Sequence, residues 1–289
     1  MKSLWMLSAS FFFSLMAVFV KLGAEDFGPF ELIFYRSLAG VLLLYSFIRA
    51  RGYTIRTPHL FGHFKRSFIG TVSMSIWFIS LTMLPIGTSM TLNYTSPLFM
   101  ASFMVILMLM RKQSLPWALL GCILLGFVGV VLVLQPSFSS GEMLGALLAL
   151  SSGFLGSIAY WQIKELGALK EPSWRIVFYF TVFGTFYGLG GCYLLEGGLS
   201  PIQADNVIYL IGMALCATLA QCSLTMAFGQ GNVLLSSCLQ FSAIVMAELM
   251  GLIFFNDKLT LTTELGIVVI MVAGIAATML TRKQNASKR

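Results

Sequence analysis

The residue with the strongest claim to chemistry is Glu248. It sits inside Asn232 to Leu259, a stretch long and apolar enough to cross a bilayer that also carries Ser236, Ser237, Gln240 and Ser242. An acidic side chain at the centre of a membrane helix costs roughly 2.5 to 3.5 kcal/mol, so it faces a partner, a cavity or a pathway. Three chemistries are open to it: a pair with a buried cation, a proton relay, or contact with a cationic group on a substrate. Arg36 is the candidate cation. It lies seven residues beyond Pro29 in its own apolar run, a depth of about 10 Å at 1.5 Å per residue, and Glu248 reaches nearly the same depth from the same side. Desolvation raises a buried carboxyl and a nearby guanidinium lowers it, so the sequence leaves the charge state of Glu248 open.

Other polar groups recur at helical spacing inside apolar runs. They are Ser73, Trp77 and Ser80; Thr88, Asn93, Tyr94 and Ser96; Ser152, Tyr160, Trp161 and Gln162; and Thr218, Gln221 and Thr225. Trp77, Asn93, Tyr94, Trp161, Gln221 and Gln240 are the candidate lining of a substrate cavity. The plainer reading for any single hydroxyl is glue between helices, or a bond to its own helix. Pro97 marks a bend or hinge, since proline removes one helical hydrogen bond. Metal chemistry and catalysis find little support. His59 and His63 stand four apart in the basic loop Arg49 to Arg66, where Phe61 and Phe64 suggest a short interfacial helix. There is no Gly-x-Ser-x-Gly elbow, no His-Glu-x-x-His and no Walker A sequence. The expectation is a protein without cofactor or metal that is not an enzyme. A non-transporting membrane sensor or assembly protein is the alternative from another class.

These groups must be held by membrane helices. The 289 residues are 58% hydrophobic and 10% charged, against about 25% charged in soluble domains. Ten apolar runs begin near residues 4, 29, 65, 87, 115, 142, 174, 206, 232 and 260. At about 20 residues per span they leave no room for a soluble domain. The fold class expected is therefore an all-α membrane protein of ten transmembrane helices. The five cysteines lie inside apolar runs and read as small hydrophobes. Of the 18 Lys and Arg residues, fifteen fall on the side of the termini, while Lys21 and Lys258 fall on the other and Arg36 lies within a run. That bias predicts an integral protein of the inner or plasma membrane with both termini cytoplasmic. The net charge of +7 reports topology rather than affinity for nucleic acid. The partners implied are the lipid bilayer, a small-molecule substrate and, through Glu248, a proton. Gly184-x-x-x-Gly188 permits helix association, so monomer and weak homodimer both stay open.

The chain also repeats itself. An offset of 147 residues lays Leu92-Asn93-Tyr94-Thr95 on Leu239-Gln240-Phe241-Ser242, and an offset of 145 pairs Gly121 with Gly266. Residues 1–138 and 139–289 thus read as two copies of five helices each. An odd number of crossings sends the second copy in from the opposite face, giving an inverted repeat suited to alternating access.

Pro29 with Arg36, Ser96-Pro97, and Phe255-Asn256-Asp257-Lys258-Leu259-Thr260 followed by Gly266 carry a family likeness. Their order and spacing resemble the EamA-type family of the drug/metabolite transporter superfamily over nearly the whole chain. The resemblance implies a secondary carrier whose cavity is lined by the first, third, fourth, sixth, eighth and ninth helices. Its expected cargo is a small organic metabolite such as an amino acid, a nucleoside-like compound or a vitamin. Three departures stand out. Asp257 replaces the glutamate of the family's turn after the ninth helix, Arg111-Lys112-Gln113 lacks an acid after the fourth, and Glu248 stands where the family commonly has a small residue.

Overall fold

The computed structural model describes residues 2–23, 26–84, 86–135, 142–203, 206–255 and 260–286. Twelve α-helices form among them: α1 (Trp5–Gly23), α2 (Pro29–Ala50), α3 (Leu60–Met83), α4 (Ile86–Asn93), α5 (Ser96–Met110), α6 (Trp117–Leu134), α7 (Met143–Ala168), α8 (Ser173–Leu195), α9 (Val207–Gln230), α10 (Val233–Gln240), α11 (Ser242–Phe255) and α12 (Leu261–Ala286). Because α4 runs into α5 and α10 into α11, they make ten long units. Among the described residues nine stretches, two of them spanning these joints, are long and apolar enough to cross a membrane. The chain is an integral membrane protein. Two of its ends are distinguished below by their loops, one basic and carrying both termini, the other acidic.

The helix starts are fixed locally. Pro29 opens α2, where its missing N–H costs nothing. The Glu196 carboxylate then accepts from the N–H groups of Phe30 at 2.8 Å and Glu31 at 3.1 Å, answering donors that the first turn leaves open. Gly28 is what lets that carboxylate in, since a Cβ there would meet it at 2.5 Å. Glu31 reciprocates, accepting from the Ser200 N–H at 2.7 Å and its hydroxyl at 2.8 Å. At the basic end Asn232 caps α10 by accepting from the Leu235 N–H at 3.0 Å.

Packing joins the first five units to the last five. α1 lies on α9, α2 on α8, α3 on α7 and α6 on α12. Glycines set the closest crossings, as expected where van der Waals contact drives helix association. A Cβ on Gly129 of α6 would come within 2.9 Å of the Gly266 carbonyl of α12. Gly184 and Gly188 of α8 are spent inside the chain: a Cβ at either would strike Ser37 Oγ or the Phe34 nitrogen of α2 at 2.6 Å. They are therefore not a free surface for a second copy.

Three boundaries differ from the sequence expectation. α3 starts at Leu60 and absorbs the segment expected as a separate interfacial helix, leaving Phe61 and Phe64 as exposed residues of its first turns. The span expected near residue 87 is broken at Tyr94–Thr95, and the one from residue 232 at Phe241. At the first break Pro97 cannot donate to the Asn93 carbonyl, which instead lies beside Gly153 of α7, where a Cβ would come within 2.8 Å of it. Pro97 itself sits in the first turn of α5. The segment Asn256-Asp257-Lys258-Leu259 lies outside the described residues.

Candidate substrate site

The polar groups gather on one face of α3. Arg66, Gly70, Ser73 and Trp77 follow one another at steps of three and four, so they line up along the helix. Arg66 is 3% exposed, although it lies only six residues into α3. Its guanidinium lies over the Phe180 ring of α8, 3.8 Å from the centroid. Its Nε and Nη1 have no hydrogen-bond partner. Gly70 makes room for it, because a Cβ there would stand 2.9 Å from Nη1.

Around Arg66 stand groups from five other units. Arg36 of α2 and Tyr160 of α7 are within electrostatic reach of it. Tyr160 stacks on Phe228 of α9 at 4.9 Å and accepts from Gln240 Nε2 of α10 at 3.5 Å. Tyr94, at the α4–α5 break, lies within electrostatic reach of Tyr160. Gln240 Oε1 is buried without a partner, and so is Ser237 Oγ one turn before it. Tyr94, Tyr160 and Arg36 lie deep in the bundle, and each of them, like Gln240, keeps some accessible surface.

The expected residues thus separate. Gln240 and Tyr94 join the cluster. Asn93 does not: its amide donates to Ser152 Oγ at 2.8 Å, and Ser73 donates to the Ser152 carbonyl at 2.8 Å, so this trio ties α3, α4 and α7 together. Trp161 points to the basic end, donating to Glu165 at 2.9 Å with Lys164 lying 4.0 Å over its ring. Gln221 is buried in α9, and Trp77 accepts from Ser80 through its carbonyl. Arg36 Nη1 contacts Met74 Sδ at 3.4 Å, and Glu171 pairs with His63 and Arg175 at the basic end. An apolar groove of about 380 Å³ lies elsewhere, at the acidic ends of α2 and α8, walled by Phe30, Phe186, Tyr187 and Leu194. It offers one phenol and otherwise hydrocarbon, so the chemistry lies with the buried cluster.

Comparison with known proteins bears on the fold and on the first half of the chain. The model of the EamA-like transporter family matches residues 1–135. That half of the chain is similar to the EamA-like transporter family. It is 25% identical to an uncharacterized transporter of Helicobacter pylori over 93% of this chain and 91% of that one. It is 25% identical to the pseudopaline exporter of Pseudomonas aeruginosa over 93% and 92% of the two chains. A crystal structure of 18% identity superposes with a TM-score of 0.85 over 96% of this chain and 98% of the other, a likeness of fold.

At the basic end of this EamA-like chain the charges are handled differently. Glu171, in the connection between α7 and α8, accepts from Thr57 and from Arg175 Nη1 at 2.9 Å, with His63 Nε2 3.4 Å away. Arg175 and Tyr179 also donate to the carbonyls of Thr54 and Ile55, each at 2.9 Å, which ties the α2–α3 loop to α8. Burial alone raises the Glu171 carboxyl, but the hydrogen bonds from Thr57 and Arg175 and the Arg175 charge outweigh it. The group therefore titrates below its ordinary value. No cluster of three or more His, Cys, Asp or Glu suited to a metal occurs among the described residues.

Arg66 is the residue that sequence reasoning missed. It counts there as one of the basic loop charges, because only its position near the start of an apolar run is visible. Its signal is the stripe of Gly70, Ser73 and Trp77 that follows it on the same helical face.

Proposed function

We propose that this chain is a secondary carrier that moves a small organic metabolite, of the size of an amino acid, nucleoside-like compound or vitamin, across the inner or plasma membrane. The observation that carries the reading is the buried cluster of Arg66, Arg36, Tyr160 and Gln240, in which Arg66 Nε and Nη1 and Gln240 Oε1 have no hydrogen-bond partner. Polar groups at membrane depth are expensive, and a carrier has a use for them.

Movement by alternating access of two inverted five-helix repeats, residues 1–138 and 139–289, is supported by the helix pairing. α1 on α9 and α3 on α7 exchange under the repeat, while α2 on α8 and α6 on α12 map onto themselves. The two interrupted spans add support, since Tyr94 and Phe241 are the residues that the 147-residue offset aligns. Interrupted helices at a midplane site are common in transporter folds. The name of the pseudopaline exporter supports a small-molecule cargo. Both termini are assigned to the cytoplasm from the basic loops, and the internal use of Gly184 and Gly188 favours a monomer over a weak homodimer. Pro97, in the first turn of α5, is the proposed hinge, and Glu248 the proposed proton-coupling group.

The test is a thermal-stability screen of purified protein against amino acids, nucleosides, vitamins and polyamines, followed by counterflow in reconstituted vesicles. A ligand at 100 times its Kd stabilises the form it binds by about 2.7 kcal/mol. Absence of saturable flux for every hit would sink the carrier reading. Flux unchanged by Glu248→Gln at each pH from 5 to 8 would remove proton coupling alone.

A further inference from the structure

We propose that the carried metabolite presents an oxyanion, carboxylate or phosphate, to Arg66 and Arg36. This rests on the carrier reading and names the substrate class for it. Two guanidiniums lie inside the bundle close enough to act on each other. The ion pairs that Glu171 makes lie at the basic end, and neither Arg66 nor Arg36 takes part in them. Arg66 keeps Nε and Nη1 without acceptors while 97% of its surface is buried. Phe180 covers one face of that guanidinium, which leaves Nε and Nη1 at its edge without acceptors. Arg36 finds only the thioether of Met74, a weak acceptor, at 3.4 Å.

A protein interior does not ordinarily keep two like charges together and unpaired, since each has lost its hydration without gaining a counter-charge. The missing partner has defined chemistry. The planar fork of arginine matches the two oxygens of a carboxylate or phosphate, and two forks from different helices hold one such group from two directions. Alternating access needs a charge that arrives and leaves with the cargo, whereas a resident glutamate would fill the site permanently. Beside the guanidiniums, the unpartnered Gln240 Oε1 accepts a hydrogen bond, so the cargo carries a hydroxyl or amine donor next to its oxyanion.

The test uses the full chain, purified in detergent at low ionic strength. Its thermal midpoint is followed against glutarate, citrate, inorganic phosphate and phosphoserine, with glutaramide as the neutral counterpart of glutarate. The expected result is a saturable rise with at least one oxyanion and an apparent affinity at least tenfold weaker for glutaramide. The carboxylate and phosphate arms decide between the two sources. Arg66→Gln and Arg36→Gln each weaken that affinity tenfold or more while leaving the ligand-free midpoint unchanged or higher. Arg66→Lys, which keeps the charge but not the fork, retains part of the shift.

Three results would overturn the inference: no oxyanion-specific shift across the panel, a shift that survives both glutamine variants, or glutamine variants that melt well below the parent without ligand. The last would assign the guanidiniums to structure. Flux measurements separate this inference from the one beneath it. An oxyanion that binds through Arg66 but shows no saturable flux upholds the site and removes the carrier. Saturable flux of a neutral metabolite, indifferent to Arg66→Gln, upholds the carrier and removes the oxyanion.

Discussion

The knot around Glu171 and the arginines inside the bundle are built from the same kinds of charge and treat them in opposite ways. Glu171 is surrounded by donors: Thr57, Arg175 and His63 converge on it from three segments. Arg66 and Arg36 are surrounded by a ring, a thioether and each other. The knot closes the basic end, where the α2–α3 loop meets α8, and its carboxylate answers the Arg175 charge, although His63 and Arg175 Nε have no hydrogen-bond partner. The interior cluster leaves Arg66 Nε and Nη1 and Gln240 Oε1 without hydrogen-bond partners. A charge that serves the fold comes with its partner, and the partner of the interior pair comes from outside the chain.

Substitution should pull the two regions apart. The largest effect is expected from Glu171→Ala, which strands the Arg175 charge and costs about 3 kcal/mol, measured as a lower midpoint in thermal or denaturant unfolding. Acid should reach the same group. Because the folded carboxyl titrates below its unfolded value, its contribution is present above the unfolded value near 4.3. It is lost as pH falls through the lower folded value. The wild type should therefore lose stability on acidification below that point more steeply than Glu171→Gln, in paired melts across a pH series. Arg66→Met should act with the opposite sign, leaving the ligand-free protein as stable as the parent or more stable by about 1 kcal/mol. A marked loss would erase the contrast. Tyr160→Phe is expected to move stability least, by under about 0.5 kcal/mol, since it removes only the 3.5 Å bond from Gln240. It should still weaken oxyanion binding several-fold in the thermal-shift titration.

Much of the architecture was legible because hydropathy reports spans directly. Ten apolar runs correspond to ten helical units, since a bilayer leaves few alternatives to a helix for an apolar stretch of that length. The break at Tyr94–Thr95 was legible from Pro97, and the one at Phe241, where no proline or glycine stands, was not. At the first break the Asn93 carbonyl that Pro97 leaves free lies beside Gly153. The site was half legible. Gln240 and Tyr94 are too polar for lipid, and they do turn inward to the cluster. Asn93 has the same credentials and went to Ser152 instead, because periodicity gives a helical face but not which neighbour occupies it. Arg36 was found from its depth, and it meets Met74 there. Arg66 was lost because counting basic residues near span ends treats each as solvated. That fails where a helix begins five residues before its apolar run and carries the charge inward.

The polar stripe of α3 also bears on how the protein is made. α3 is not among the nine stretches apolar enough to count as spans on their own, since Arg66 and its serines dilute it. A growing chain releases such a segment to lipid reluctantly. The surfaces that shelter it, on α7 and α8, are synthesised only after α4, α5 and α6. Arg66 therefore emerges from the ribosome well before Phe180 exists to cover it. The same stripe that equips the finished protein for a charged cargo makes α3 the segment most dependent on later neighbours during insertion.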